Sequence, residues 1–243
     1  MPTPPDPAVL YPDVAACGSL AAALRTAAEG RLDAVPVRSS DLVHAVVPST
    51  LPHREPLKIS AWSYERVWSI RGTEPFQSLA LIDGRTDDLA EIASAALAWH
   101  DGASLNDIRR AAPFVHVTGR FEVPDHDPAR LTESEWQSLR LEAAEMEYDW
   151  HETYQALIEA AYAEPVLRAL YPFTSHWALR FSTTTRPRLT VVGPYLAAKS
   201  DGTYGAGGSI ANEDLGVFTT AKEAVALAVH HLPSGLAPVA LGG

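Results

Sequence analysis

The longest periodic segment of the chain runs over residues 131–164. Trp136, Leu139, Ala143, Met146, Trp150, Tyr154, Leu157 and Ala161 recur there every three or four residues, so one apolar stripe follows a single helix and must be covered. Thr132-Glu133-Ser134-Glu135 has the spacing of a capping box at its start, and Pro165 stops or kinks it. Strand-like segments lie on both sides, which restricts the chain to a mixed architecture. The predicted organisation is a proline-rich extended arm over 1–16, an N-terminal α+β lobe over 17–123, the long linking helix over 131–164 and a C-terminal α+β lobe over 165–243, with loop 124–130 separating the lobes.

Both lobes read as strands, a turn and a capped helix. In the first, Ser19 caps a short helix that Gly30 ends, and Leu42, Val43, Val46 and Val47 mark a strand. Residues 57–71 alternate with a bend near Trp62, Gly72 to Pro75 forms a turn, and 76–83 returns as the partner strand. Asp88 and Glu91 then have capping-box spacing ahead of a helix over 88–99. A short helix over 104–111 precedes a strand over 114–123. In the second lobe, residues 174–183 alternate as one strand, with His176, Ala178 and Arg180 on one face and Trp177, Leu179 and Phe181 on the other. Further strands at 189–192 and 195–198 flank Pro194, Ser200-Asp201-Gly202 is a turn, and Thr220 with Glu223 caps a last helix that stops at Pro233. The shared order at 57–101 and 174–233 suggests an internal duplication. Strands and helices do not alternate regularly, so the fold class is α+β and not a doubly wound sheet.

Composition excludes several partners. The 243 residues hold 19 Lys+Arg against 30 Asp+Glu, a formal charge of −11. Such a surface repels nucleic acid and anionic membranes. One cysteine, Cys17, allows neither an intrachain disulfide nor a thiolate metal site, and together with an N-terminal sequence lacking a basic, apolar leader it points to the cytoplasm. No apolar window reaches the length of a membrane span.

Motifs for familiar chemistry are missing or incomplete. Residues 202–208 (GTYGAGG) carry glycines reminiscent of a dinucleotide loop, but Ile210 stands where the third glycine belongs and no helix follows, so the segment reads as a flexible loop. Neither 102–106 nor 207–211 completes Gly-x-Ser-x-Gly. The nine histidines form no HExxH or HxH pair. Glu147 and His151 stand four residues apart, but a second Glu-x-x-His copy is lacking, so this stretch reads as a solvated acidic face. No cofactor and no metal are expected.

The remaining candidates are aromatic and imidazole side chains. His116, His176 and Arg180 sit within predicted strands, where imidazole can act as a general acid or base and guanidinium can anchor a carboxylate or enolate. Trp62, Trp68, Tyr171 and Trp177 are candidate walls for a large organic ligand.

The run from Ala160 to Ser182 (AAYAEPVLRALYPFTSHWALRFS), with Gly84-Arg85-Thr86, Ala98-Trp99-His100-Asp101-Gly102 and Pro113-Phe114-Val115, resembles an actinobacterial family of unknown function associated with natural-product biosynthesis, over about residues 57–233. Sixteen arginines against three lysines suit a GC-rich genome. The resemblance implies a role in secondary metabolism and carries no catalytic residue. Two functions follow as expectations. One is cofactor-free tailoring or cyclisation of an intermediate held in an aromatic pocket, with His176, Arg180 and His116 as its polar groups. The other is a non-enzymatic interaction protein, such as an immunity, carrier or leader-peptide-binding module, that uses an acidic surface. The partner is a small-molecule or peptide intermediate, and a homodimer is left open.

Overall fold

Proline is tolerated in the first turn of a helix, where its missing N–H would have no partner anyway. The segment expected as an extended arm uses this twice. In the computed structural model, which describes residues 3–39, 41–208 and 214–243, Pro7 opens α1 (Pro7–Leu10) and Pro12 opens α2 (Pro12–Cys17). Tyr11 between them is fully buried, and its Oη lies 2.8–3.0 Å from the carbonyls of Trp62, Glu65 and Val67. Residues 7–17 are therefore helical and anchored through the buried Tyr11 and Val14, which corrects the extended arm.

The chain forms two compact units, Met1–Thr118 and Gly119–Gly243, in place of the boundaries at 123 and 165 expected above. The first continues with α3 (Leu20–Ala27), capped by Ser19 as expected. Its antiparallel sheet runs β1 (His44–Val47), β2 (Leu57–Ala61), β3 (Trp68–Thr73), β4 (Ala80–Thr86) and β5 (Val115–Val117), in that spatial order. Between β4 and β5 come α4 (Leu89–His100) and α5 (Leu105–Ala111). Helix α4 packs on β1, β3, β4 and α3. The break in 57–71 is a hairpin loop, Trp62 to Val67, and Gly72 lies inside β3 instead of starting a turn. The reason is space: a Cβ on Gly72 would lie 2.5 Å from the Trp99 ring and 2.8 Å from Ile82, so glycine lets the helix approach the strand.

The second unit opens with α6 (Pro128–Glu145) and α7 (His151–Ala163), followed by the one-turn α8 (Pro165–Arg168). The single long helix expected over 131–164 is thus two. Its apolar stripe cannot cover itself while straight; broken at 146–150, the halves pack antiparallel and bury Trp136, Leu139 and Ala143 with Tyr154, Leu157 and Ala161. Arg140 grips Glu159 with two hydrogen bonds of 2.7 and 3.0 Å across the pair. The start of α6 also moves. Asp127 caps it, accepting from Arg130 N, with Pro128 at its first position. Glu135 is instead 4% exposed and paired twice with Arg120, at 2.7 and 2.9 Å.

The second sheet has the order β11-β10-β9-β7-β6, antiparallel throughout. Its strands are β6 (Tyr171–Ser175), β7 (Ala178–Ser182), β9 (Val191–Ala198), β10 (Tyr204–Gly207) and β11 (Gly216–Phe218). Strand β8 (Thr184–Pro187) stands apart and pairs in parallel with β12 (Ala240–Gly242). Helix α9 (Ala221–His230) carries the complete Thr220–Glu223 capping box and packs on β9, β10 and α7. Residues 204–207, read as a flexible loop, are the buried strand β10, with Leu196 and Tyr195 of β9 opposite Ala206 and Gly207. Ser209, Ile210 and Ala211 lie outside the described residues. The α+β class holds.

Candidate functional site

The hairpin β6–β7 concentrates four of the residues singled out in the sequence. Ser175 pairs with Ala178, so His176 and Trp177 alone make the turn. A two-residue hairpin of this kind needs positive φ at both positions and is normally Asn-Gly. Here φ is 52° at His176 and 65° at Trp177. Bulky residues in the left-handed region cost of order 1–3 kcal/mol each. The single strand expected at 174–183 is therefore corrected to a strained hairpin, and His176 lies at its exposed tip, off the strand face assigned to it.

Trp177 is held there by rings. It meets Tyr148, Trp150 and Tyr154 edge-on, with centroids 5.9, 5.8 and 5.9 Å away. Tyr148 and Trp150 are stacked at 5.8 Å with planes 8° apart, and Trp150 also stands edge-on to Tyr154. Edge-to-face pairs at these separations are favourable by about 0.5–1.5 kcal/mol beyond area burial, enough to offset the turn. Tyr148 and Trp177 remain exposed, at 55% and 39%. Tyr154 forms the floor: it is fully buried, its Oη has no hydrogen-bond partner among the described residues, and burial followed by the nearby Glu142 charge pushes its phenol well above the usual range. Glu145, Glu147, Asp149 and Glu152, all exposed, surround this platform in sequence.

The break between α6 and α7 makes the platform. It turns Tyr148 and Trp150 onto the hairpin, and it takes Glu147 out of helix, so Glu147 and His151 do not share a helical face. His151 Nδ1 instead lies 2.9 Å from the Tyr148 carbonyl. Sequence periodicity missed Tyr148 and took Trp150 and Tyr154 as ordinary stripe. The usable signal was the density of rings at 148, 150 and 154.

The other candidates are distributed as follows. Tyr171 and Arg180 face the same side of the second sheet, opposite Ser182 and Phe173 respectively; Tyr171 is fully buried, and Arg180 Nε is buried without a partner among the described residues. In the first unit, Trp68 is fully buried beside Tyr11, with centroids 5.2 Å apart and the Arg66 guanidinium 4.6 Å from its ring. It is core. Trp62 is half-buried under Arg85, whose guanidinium is 4.3 Å from the ring centroid. His116 on β5 faces Asp83 on β4, with Nδ1 to Oδ1 at 3.2 Å, as an exposed cross-strand pair.

Cavities occur elsewhere. One of about 560 Å³ lies between α6, α8 and residues 236–239; one of about 470 Å³ between α2, α3 and α4; and one of about 510 Å³ between α7 and α9. None of the three is lined by His116, His176, Arg180 or the four expected aromatic walls. Among the described residues, no group of three or more His, Cys, Asp and Glu could hold a metal ion, and no helix is long and apolar enough to cross a membrane.

The aromatic platform, the hairpin and the sheet behind it all fall within one matched region. Residues 130–243 match a family of unknown function (DUF6193). The likeness to a family of unknown function expected over 57–233 is met there, from the third residue of α6 to β12. No curated protein and no solved structure matches the chain.

Proposed function

We propose that this chain is an interaction protein whose platform of Tyr148, Trp150 and Trp177 docks a basic segment of a peptide partner. One observation carries the reading: Trp177 is placed in an unfavourable backbone conformation at a hairpin tip, contacts three rings, and is still 39% exposed. Strain of this kind persists where a surface is used. Arginine suits such a surface, because its guanidinium stacks on exposed ring faces while carboxylates meet its charge. Glu147, Asp149 and Glu152 supply those carboxylates, in a chain of net charge −11.

The alternative, tailoring of an organic intermediate, calls for an enclosed aromatic cavity. Docking is favoured because Tyr148 and Trp177 stand exposed, while Trp68 and Tyr171 are spent in the cores. The association with natural-product biosynthesis implied by residues 160–182 makes a basic precursor or leader peptide of an actinobacterial pathway the partner we favour. We place the interaction in the cytoplasm, where the exposed Cys17 stays reduced.

Titrating the full chain with a capped peptide of alternating Arg and Leu, followed by tryptophan fluorescence, tests this. Saturable quenching should appear, weaken as salt is raised, and fall at least tenfold in Trp177→Ala. Equal affinity in that variant would overturn the proposal, as would indifference to salt. A dimer that dissolves on the same substitution would assign the platform to a second copy of the chain and overturn it too.

A further inference from the structure

We infer that the second unit carries another site, independent of the platform: a small-molecule cavity for a zwitterion with a branched aliphatic side chain, the chemistry of an aliphatic amino acid. The cavity between α6, α8 and residues 236–239 measures about 560 Å³, within the range of roughly 300–1,000 Å³ that small ligands occupy. Val166, Leu170, Leu236 and Val239 give it apolar walls, and Glu133 and Arg168 are its charged lining residues.

Tyr162 ties the two charges to one region. Its hydroxyl donates to Glu133 Oε1 at 2.9 Å, and the Arg168 guanidinium lies 5.5 Å from the centroid of its ring. Gln137 Nε2 also donates to that same Oε1, and Glu133 Oε2 has no partner among the described residues. Arg168 has no carboxylate partner among the described residues, in contrast to Arg120 and Arg140, which are both paired. A simple carboxylate would be drawn to Arg168 and repelled by Glu133, and a simple amine would meet the reverse. A ligand bearing both charges satisfies both groups, and its side chain covers the aliphatic wall.

One wall is a strap. Residues 236–239 lead into β12, whose Gly242 donates to Thr185 Oγ1 at 3.3 Å and accepts from Arg188 N at 3.0 Å. A Cβ on Gly242 would lie 1.8 Å from the Thr185 carbonyl oxygen. Replacing this glycine must move the strap, and with it Leu236 and Val239.

The test is an amide-resonance titration of the full chain with L-leucine, with 4-methylpentanoate, which lacks the ammonium group, and with 3-methylbutylamine, which lacks the carboxylate. Leucine should give saturable shifts at residues 129–133, 165–170 and 236–239, and each analogue should bind about tenfold more weakly for want of one charge-assisted contact. Arg168→Gln should bring leucine down to the level of the amine, and Glu133→Gln to the level of the carboxylate. Gly242→Ala should weaken all three probes; since it also disturbs β12, the two charge-removing variants carry the decision. No saturable shift with leucine, shifts confined to other residues, or analogues that bind as tightly as leucine would each overturn the inference.

Discussion

The two units solve the same packing problem with similar parts and differ in how they treat polar groups. Each begins with helices, continues into a five-stranded antiparallel sheet, and lays a side-chain-capped helix, α4 or α9, against it. Each buries a helical tryptophan completely and satisfies its indole N–H with a backbone carbonyl at 3.1 Å: Trp99 to Glu55 in the first unit, Trp136 to Arg168 in the second. Their buried tyrosines differ. Tyr11 gathers the carbonyls of the β2–β3 loop around its hydroxyl, whereas Tyr154 has an unpaired hydroxyl beneath a strained, partly exposed indole. The contrast is local, since Trp68 Nε1 in the first unit is also buried without a partner among the described residues: it lies in the two tyrosines and in the turn above Tyr154. Backbone strain and an unpaired hydroxyl brought together at one turn mark where a protein departs from its stability optimum for another purpose.

The largest expected effects test the symmetry. Trp99→Ala and Trp136→Ala should each destabilise by about 3–5 kcal/mol, and hydrogen-exchange protection should fall in the unit that holds the substitution. Loss of protection in both units from one substitution would end the comparison. The tyrosines come next. Tyr11→Phe leaves buried carbonyls short of a donor and should cost about 1–3 kcal/mol in chemical denaturation. Tyr154→Phe removes a hydroxyl with nothing to bond, so midpoint stability should stay level or rise. A cost for Tyr154→Phe equal to that of Tyr11→Phe would erase the contrast.

His176→Asn should stabilise the second unit by about 0.5–1 kcal/mol, because asparagine adopts positive φ more readily than histidine; a lower melting temperature would contradict the assignment of strain. The smallest effect is electrostatic. Two hydrogen bonds from Arg66, each 2.8 Å, hold the Asp13 carboxyl below its ordinary value of 3.8. A depressed folded pKa means stability that is present above pH 3.8 and lost as pH falls through the folded value. The pair is half exposed, so the loss should stay under about 1 kcal/mol, and Arg66→Gln should flatten this part of the acid titration. Glu223 in the α9 capping box, held down first by Thr220, loses its contribution on the same acidic side, starting from its higher ordinary value of 4.5.

Much of this was legible where local chemistry decides. Ser19, Asp88 and Thr220 cap the helices they precede, since their side chains bond to N–H groups two or three residues away. Long-range competition defeated the rest. Thr132-Glu133-Ser134-Glu135 has capping-box spacing, yet Ser134 is taken by Phe121 and Glu135 by Arg120, and Asp127 caps instead. Gly72 looked like a turn because the Trp99 ring that needs its empty side lies 27 residues on. The His176-Trp177 turn was invisible because neither residue carries turn chemistry, and its hold comes from Tyr148, Trp150 and Tyr154 in another element.

The Arg120–Glu135 pair also sets how this molecule can be divided. The family match starts at residue 130, and a fragment cut at that point would omit Arg120, the Asp127 cap and Pro128. Glu135 and Ser134 would lose the partners they have in Arg120 and Phe121, and α6 its cap, which alone is worth about 0.5–2 kcal/mol. Expressed alone, the region is expected to be soluble and cooperative when it begins at Gly119, and prone to precipitation when trimmed to the boundary that sequence similarity draws.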